Sequence, residues 1–139
     1  MDRLASGEII AVWEAGYNQD GSLNGVFGRK IGLDGTLGEE IQINQTTARS
    51  QSNPGLVATS DGGAVVVWNG DGRYDDSRGT YGRHIDADGS LGDEFMVDSG
   101  ASGVPRIAEI SDGLFAVTWL TDNSSPRDCL LYTSDAADE

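Results

Sequence analysis

Short apolar runs that end in tryptophan recur along the chain, and each run follows a polar turn. The clearest run is 64–68, which is rich in β-branched valine and follows the turn at residues 60–63. Matching runs lead to Trp13 and Trp119, so the tryptophans at 13, 68 and 119 are 55 and 51 residues apart. Continuous apolar runs of this kind are typical of strands buried on both faces. The pattern predicts a repeated β unit without helices.

Other sequence segments recur at nearly the same spacing as the tryptophans. Segment 25–29 recurs 54 residues later as 79–83, and segment 34–41 recurs at the same distance as 88–95. Pro54 and Pro105 each lie 14 residues before a tryptophan. A period of this size indicates a solenoid, a propeller or an array of small units.

The central unit is predicted to contain four strands. They cover residues 54–59, 64–68, 80–85 and 94–98, with turns at 60–63 and 86–89. Pro54 is expected to open the first strand, because proline is tolerated at a strand's first position and not in its interior. Four strands per unit are typical of propeller blades. We therefore predict an all-β fold, a partial β-propeller-like array of four-stranded antiparallel blades with about two and a half repeats. An open stack of β units is the alternative.

The repeats predict four segments. Repeat 1 covers residues 1–58 with a truncated first strand, repeat 2 covers 59–109, and repeat 3 covers 110–128 and is truncated after its second strand. Because a closed propeller needs roughly 4–8 blades, the chain is expected to be a slice of a longer array. Its principal partners would then be neighbouring repeats of the same chain.

Residues 129–139 break the repeat and are expected to continue no strand. They resemble the translated reading of a transposon-end sequencing adapter, which would make them a non-native tail. Cys129 is the only cysteine of the chain. The repeats themselves therefore offer no disulfide framework and no thiolate metal site.

The chain is strongly acidic, with a net charge of −14. Without residues 129–139 there are 20 acidic and 9 basic residues, so the net charge is −11. Few cations are available to neutralise phosphates, which argues against nucleic acid and anionic membranes as partners. No run of apolar residues is long enough for a membrane span, and no signal peptide is visible. The acidity suits a soluble protein or one that meets divalent cations.

The repeat resembles one found in large secreted or surface bacterial proteins, which are adhesin-like and often carry repeat-in-toxin calcium-binding segments. The resemblance extends over nearly all of residues 1–128 and is specific for the repeat type. It rests on Trp68, Pro105 and the segments 79–83, 86–89 and 92–97. It implies an extracellular or cell-surface location and a structural or adhesive role, with surface glycans or proteins as further partners.

The polar loop that follows Trp68 resembles the calcium loops of integrin-type propeller repeats. Hard cations prefer several oxygen ligands at alternating positions, with glycine allowing a sharp turn. Asn69, Asp71 and Asp75 fit the third, fifth and ninth ligand places, whereas the first place falls on Val67. No cofactor is expected for the chain, and calcium is the one candidate that this loop offers. The alternative is a solvated loop that needs turn-forming residues.

Recurring side chains favour structural roles. Asp86 and Asp88 are explained by a turn between two strands without a metal. The tryptophans are expected to pack in the core, although a lectin would align them along a sugar-binding face. Arg29 and Arg83 are expected to pair with Glu40 and Glu94, since the members of both pairs recur in phase.

The sequence gives little support for an enzyme. His84 is the sole histidine, and it is predicted to lie in a strand without a nearby nucleophile. Residues 59–66 resemble the turn of sialidase-type propellers, but Val66 replaces the expected aromatic residue. We therefore expect a non-catalytic structural or adhesive module of an extracellular bacterial protein. A calcium- or carbohydrate-binding propeller module is the first alternative, and a propeller glycosidase fragment is the second.

Overall fold

The structure is a computed structural model of the whole chain. Every element within its described residues is a β-strand or a connecting turn. No helix in that part of the chain is long and apolar enough to cross a membrane. The described residues are 1–16, 23–45, 47, 50–70, 78–99, 101–121 and 127–133.

The strands form three antiparallel sheets in chain order. The first sheet contains β1 (Asp2–Arg3), β2 (Ile9–Ala15), β3 (Gly25–Ile31) and β4 (Ile41–Gln42). The second sheet contains β5 (Gln51–Ala58), β6 (Ala64–Gly70), β7 (Gly79–Ile85) and β8 (Phe95–Ser99). The third sheet contains β9 (Ala101–Ser111), β10 (Leu114–Thr121) and β11 (Arg127–Thr133), in the order β11-β10-β9. The all-β prediction and the four strands of the central unit are thereby confirmed.

Pro54 lies within β5 and does not open it. The strand begins at Gln51, and its register with β6 shifts between Ser52 and Gly55. Asn53 adopts a left-handed backbone conformation with φ 55° at this irregularity. A bulge leaves residues unpaired, so the missing N–H of the proline costs no ladder hydrogen bond. The prediction of the strand start was wrong because it did not allow for a bulge.

The sheet boundaries are offset from the repeat boundaries of the sequence. β5 falls within residues 1–58, yet it pairs with β6 and belongs to the second sheet. The first sheet ends at Gln42, and the second occupies residues 51–99. The first two units are therefore each a meander of four consecutive strands, and the segment 43–50 connects them.

The expectation that residues 129–139 continue no strand was wrong for residues 129–133. The backbone of β11 pairs with β10 in unbroken register from Leu114↔Thr133 to Leu120↔Arg127. This edge of β10 corresponds to the edge of β6 on which β7 lies. An open strand edge with unpaired N–H and C=O groups accepts any extended segment within reach.

The turns that precede β2, β6 and β10 share a glycine in the left-handed conformation. Gly7, Gly62 and Gly113 occupy equivalent positions with φ values of 92°, 96° and 75°. In the second unit the Gly62 N–H donates to the Thr59 carbonyl over 3.1 Å, and the first unit repeats this bond from Gly7 to Leu4 over 2.9 Å. A left-handed backbone is accessible to glycine at little steric cost. The repeated glycine therefore fixes the register of each following strand.

The sheets pack on one another in a constant sense. We call the face of each sheet that carries the repeated tryptophan its front face, and the opposite face its back face. Trp68 and Tyr81 on the second front face pack with Ile10 and Val26 on the first back face. In the next junction, Trp119 of the third front face packs with Val67 of the second back face. Each junction therefore joins a front face to the preceding back face.

Candidate functional site

A polar cleft of about 300 Å³ lies between the second and third sheets. Two equivalent turns form its rim, residues 59–63 of the second unit and 112–113 of the third. The sequence gives no direct sign of this cleft, because its two halves are about 50 residues apart. The lining residues are Thr59, Ser60, Asp61, His84, Glu109, Asp112, Gly113 and Phe115.

The Glu109 carboxylate joins the two turns that form the cleft. It accepts hydrogen bonds from the Ser60 N–H at 3.0 Å and from the Ser60 hydroxyl at 2.9 Å. The Gly113 N–H donates to the same side chain over 3.4 Å. The Ser60 proton therefore points to Glu109, which is not the arrangement of a serine activated by histidine. Glu109 acts as a link between adjacent sheets.

The Asp61 carboxylate is committed to its own turn. It accepts hydrogen bonds from the Thr59 hydroxyl and from the Gly63 N–H. These bonds, that from Thr59 above all, hold the pKa of the Asp61 carboxyl below its usual value, and the nearby His84 acts in the same direction. Asp61 thus stabilises the turn in its ionised form.

His84 contributes an imidazole ring to the cleft. Its ring centroid lies 6.0 Å from that of Phe95 and 6.3 Å from that of Phe115, in tilted and edge-on arrangements. Phe115 belongs to the third sheet, so these ring contacts extend across the junction. The sequence predicted a histidine without a nearby nucleophile. The structure places it beside a serine and acidic groups whose hydrogen bonds hold turns and sheets together.

The predicted calcium ligands are only partly within the described residues. Asn69 lies in β6, whereas Asp71 and Asp75 are outside the described part of the chain. The Asn69 Oδ1 atom is buried and has no hydrogen-bond partner among the described residues, and the same holds for Thr80 Oγ1. These two residues are directly opposite on β6 and β7. Within the described chain no group of three or more histidine, cysteine, aspartate or glutamate residues is placed to hold a metal.

Asp88 belongs to a turn, as predicted for the 86–89 segment. Its Oδ1 accepts hydrogen bonds from the Ser90 N–H at 2.9 Å and the Ser90 hydroxyl at 2.6 Å. The equivalent Asp34 accepts from the Thr36 N–H at 2.9 Å. The pKa of both carboxyl groups is lowered, above all by the hydrogen bonds from the Thr36 and Ser90 side chains and then by those from the N–H groups of the same residues. Both units therefore use the same aspartate to close the same turn.

The three tryptophans have different surroundings. Trp68 is 0% exposed, and its indole N–H donates to Gln51 Oε1 over 3.0 Å. Trp119 is also buried, but its N–H has no hydrogen-bond partner in the described chain. Trp13 is half-buried on the front face of the first sheet. Core packing is thus established for Trp68 and Trp119, and neither is available to a sugar.

Arg83 connects the first two units through backbone carbonyl groups. Its Nε donates to Gly92 O over 2.6 Å, and its Nη1 donates to Ile43 O over 2.8 Å. Burial lowers the pKa of the Arg83 guanidinium, and the carboxylates of Glu94 and Asp93 oppose that effect. The predicted pairing of Arg83 with Glu94 stays a prediction, although the Glu94 carboxylate is close enough to act on the Arg83 charge. The pairing of Arg29 with Glu40 stays a prediction.

Acid is expected to weaken the fold through Asp61. A pKa that is depressed by folding stabilises the ionised form, so the contribution is complete above the unfolded value of about 3.9 and is lost as the pH falls through the folded value. Asp61→Asn should therefore flatten the dependence of the unfolding free energy on pH between about pH 5 and pH 2. Urea titrations of the natural chain and the variant at a series of pH values would measure this pH dependence.

Thr59→Val serves as the matched variant, because it removes the hydroxyl that donates to Asp61. It should flatten the same pH profile while leaving the carboxyl group in place. Unchanged profiles in both variants would show that the Thr59–Asp61 bond does not depress the pKa.

Comparison with known proteins gives no match. No protein-family model and no curated protein matches the sequence, and no solved structure matches the fold.

Proposed function

We propose that this chain is a non-catalytic structural or adhesive repeat module of an extracellular bacterial protein. The supporting observation is that the recurring residues make structural contacts within and between the sheets. Trp68 fills the junction between two sheets, Arg83 connects them, and Asp34 and Asp88 close equivalent turns. Catalytic residues need occur only once, whereas scaffold residues recur with every unit.

The finer architecture that we propose is a β-propeller-like array of these four-stranded units. The constant front-to-back packing supports it, because each unit covers its apolar faces with its neighbours. We propose that the longer array closes into a ring, and an open stack of units is the alternative. The secreted or cell-surface location follows from the resemblance of the repeat and is consistent with the acidic composition.

A calcium-binding module is the second candidate, and one observation favours it. Asn69 Oδ1 and Thr80 Oγ1 are buried oxygen atoms without partners among the described residues, at the end of β6 where the predicted loop begins. Calcium is bound by six to eight oxygen ligands, including amide oxygens and carboxylates. Asn69, Asp71 and Asp75 would supply the side-chain ligands in this proposal.

Thermal unfolding with calcium and then with a chelator separates the two candidates. A scaffold should give the same melting temperature in both conditions, because no contact described here requires a cation. A calcium site should raise the melting temperature in excess calcium by mass action, and Asp71→Ala should remove that rise. Asp88→Ala is the control, since its carboxylate serves a turn in the same sheet.

The adhesive part of the proposal requires a separate measurement. Binding of the full chain to a glycan array and to bacterial surface proteins would support an adhesive role. Turnover of a chromogenic glycoside would instead overturn the non-catalytic proposal. A Trp68→Ala variant that retains its stability but loses glycan binding would overturn the core role of that residue.

A further inference from the structure

The front face of the first sheet repeats the features of a face that is covered elsewhere in the chain. On the second sheet, the front face carries Ala64, Val66 and Trp68 from β6 and Arg83 and Ile85 from β7, and all five are buried. The back face of the first sheet covers them. This junction shows what a front face of this repeat requires from a neighbour.

The first sheet presents the corresponding residues on its own front face. By register they are Ile9, Ala11 and Trp13 of β2 and Arg29 and Ile31 of β3. All five are only half-buried. Phe27, the counterpart of Tyr81, is already buried at 4% exposure. The open part of the face is therefore centred on Trp13 and Arg29.

Arg29 gives a specific sign that a partner belongs on this face. Its counterpart Arg83 donates from Nη1 to Ile43 O of the preceding unit and from Nε to Gly92 O of its own unit. Arg29 Nε is buried, and it has no hydrogen-bond partner in the described part of the chain. Gly38 occupies the place of Gly92 in the repeat, so Gly38 O is the expected acceptor for Arg29 Nε. A buried N–H group without an acceptor costs free energy. A neighbouring unit that held the Arg29 guanidinium in place would let Nε donate to Gly38 O and would remove that cost.

We propose that the front face of the first sheet is a docking surface for the back face of another four-stranded unit of this repeat. The chemistry of the occupant follows from the two junctions within the chain. It presents aliphatic side chains like Ile10, Val26 and Val67, and a backbone carbonyl at the position of Ile43 O for the Arg29 guanidinium. Continuity with the two existing junctions identifies this partner. The inference rests on the proposed scaffold function and specifies its partner.

The back face of the third sheet fits the front face of the first sheet less well than the back faces of the first two sheets would. On it, Thr118 replaces Val67 and Arg106 is exposed beside it. A polar threonine and a charged arginine fit less well against Ile9 and Trp13 than their counterparts on the second sheet, Val67 and Gly55, would. A second copy of this chain, whose open back face is that of the third sheet, is therefore not the proposed occupant.

The test supplies the missing neighbour by extending the chain. Residues 1–55 are added in a second copy before Met1, which is the counterpart of Leu56, so that the native segment from Ile43 to Gly55 leads from the added unit into the original one. Arg29→Met is then introduced into the original unit of the natural and extended chains, and urea unfolding is measured. We expect the substitution to increase the unfolding equilibrium constant by about tenfold or more in the extended chain, as for a lost charged hydrogen bond. In the natural chain the change should be less than about twofold.

Limited proteolysis of the same extended chain gives a second measurement. Docking should protect the added unit as well as the original chain. Digestion of the added unit beside an intact original chain, or failure of the extended chain to fold, would overturn the proposal. An equal effect of Arg29→Met in both chains would also overturn it.

Sedimentation of the natural chain tests the rival occupant. A dimer that is lost on Trp13→Lys would assign the surface to a second copy and overturn the occupant proposed here. Glycoside turnover would overturn the scaffold function alone, because it would leave the docking result unchanged. The two failures are therefore distinguishable.

Discussion

Replacement of Trp68 by alanine is expected to lower the free energy of unfolding by about 3–5 kcal/mol. The side chain is fully buried between the first two sheets and stacks near Tyr81, with ring centroids 6.3 Å apart. Its removal leaves a cavity and deprives Gln51 Oε1 of the indole donor. Urea or thermal unfolding followed by circular dichroism would measure the loss.

Trp13 provides the matched control for this experiment. It ends the equivalent strand but is only half-buried, so Trp13→Ala should cost about 1–2 kcal/mol. Equal losses at the two positions would contradict the difference in packing. A Trp68→Ala variant as stable as the natural chain would show that the first junction does not contribute to folding.

Replacement of Arg83 by methionine is expected to destabilise the chain by about 2–4 kcal/mol. The substitution keeps much of the side-chain volume but removes the donors to Gly92 O and Ile43 O. The second of these bonds joins the second sheet to the segment that leaves the first. Lysine should not restore the stability, because one ammonium group cannot reproduce the planar fork of guanidinium donors.

Arg29→Met is the control in the natural chain. Arg29 occupies the same place in the repeat, but its Nε has no partner in the described residues, so the substitution should change the unfolding free energy by less than about 0.5 kcal/mol. Unfolding by urea would compare both variants. A loss at Arg29 as large as that at Arg83 would contradict the carbonyl bonds as the source of the effect.

The strands of the central unit could be predicted from the sequence because local signals agree there. Valine-rich runs, Asp–Gly turns and the period of the repeat all point to the same boundaries, and the four strands follow them closely. The start of β5 was missed because a bulge, with Asn53 in a left-handed conformation, makes room for Pro54. β11 was missed because its position depends on an open edge of β10 and not on the repeat.

The candidate site could be predicted only in part. Sequence reasoning identified Asp61 and Asp88 as turn residues because their hydrogen bonds are made within a few positions of the chain. It missed Glu109 because the partner of that carboxylate, Ser60, is 49 residues away. The one available signal was the repeat itself, since Asp112 and Gly113 are the counterparts of Asp61 and Gly62. Contacts between units depend on how sheets stack, which no local pattern encodes.

The front-to-back packing has a consequence for how such a gene can change in length. Both described junctions join a front face to a back face, so the loss or duplication of one whole unit would bring together surfaces of the same two kinds. A deletion of part of a unit would instead leave a sheet with an open edge or with its register disturbed. We therefore expect recombination between repeats about 54 residues apart to change the number of units without creating a new kind of interface.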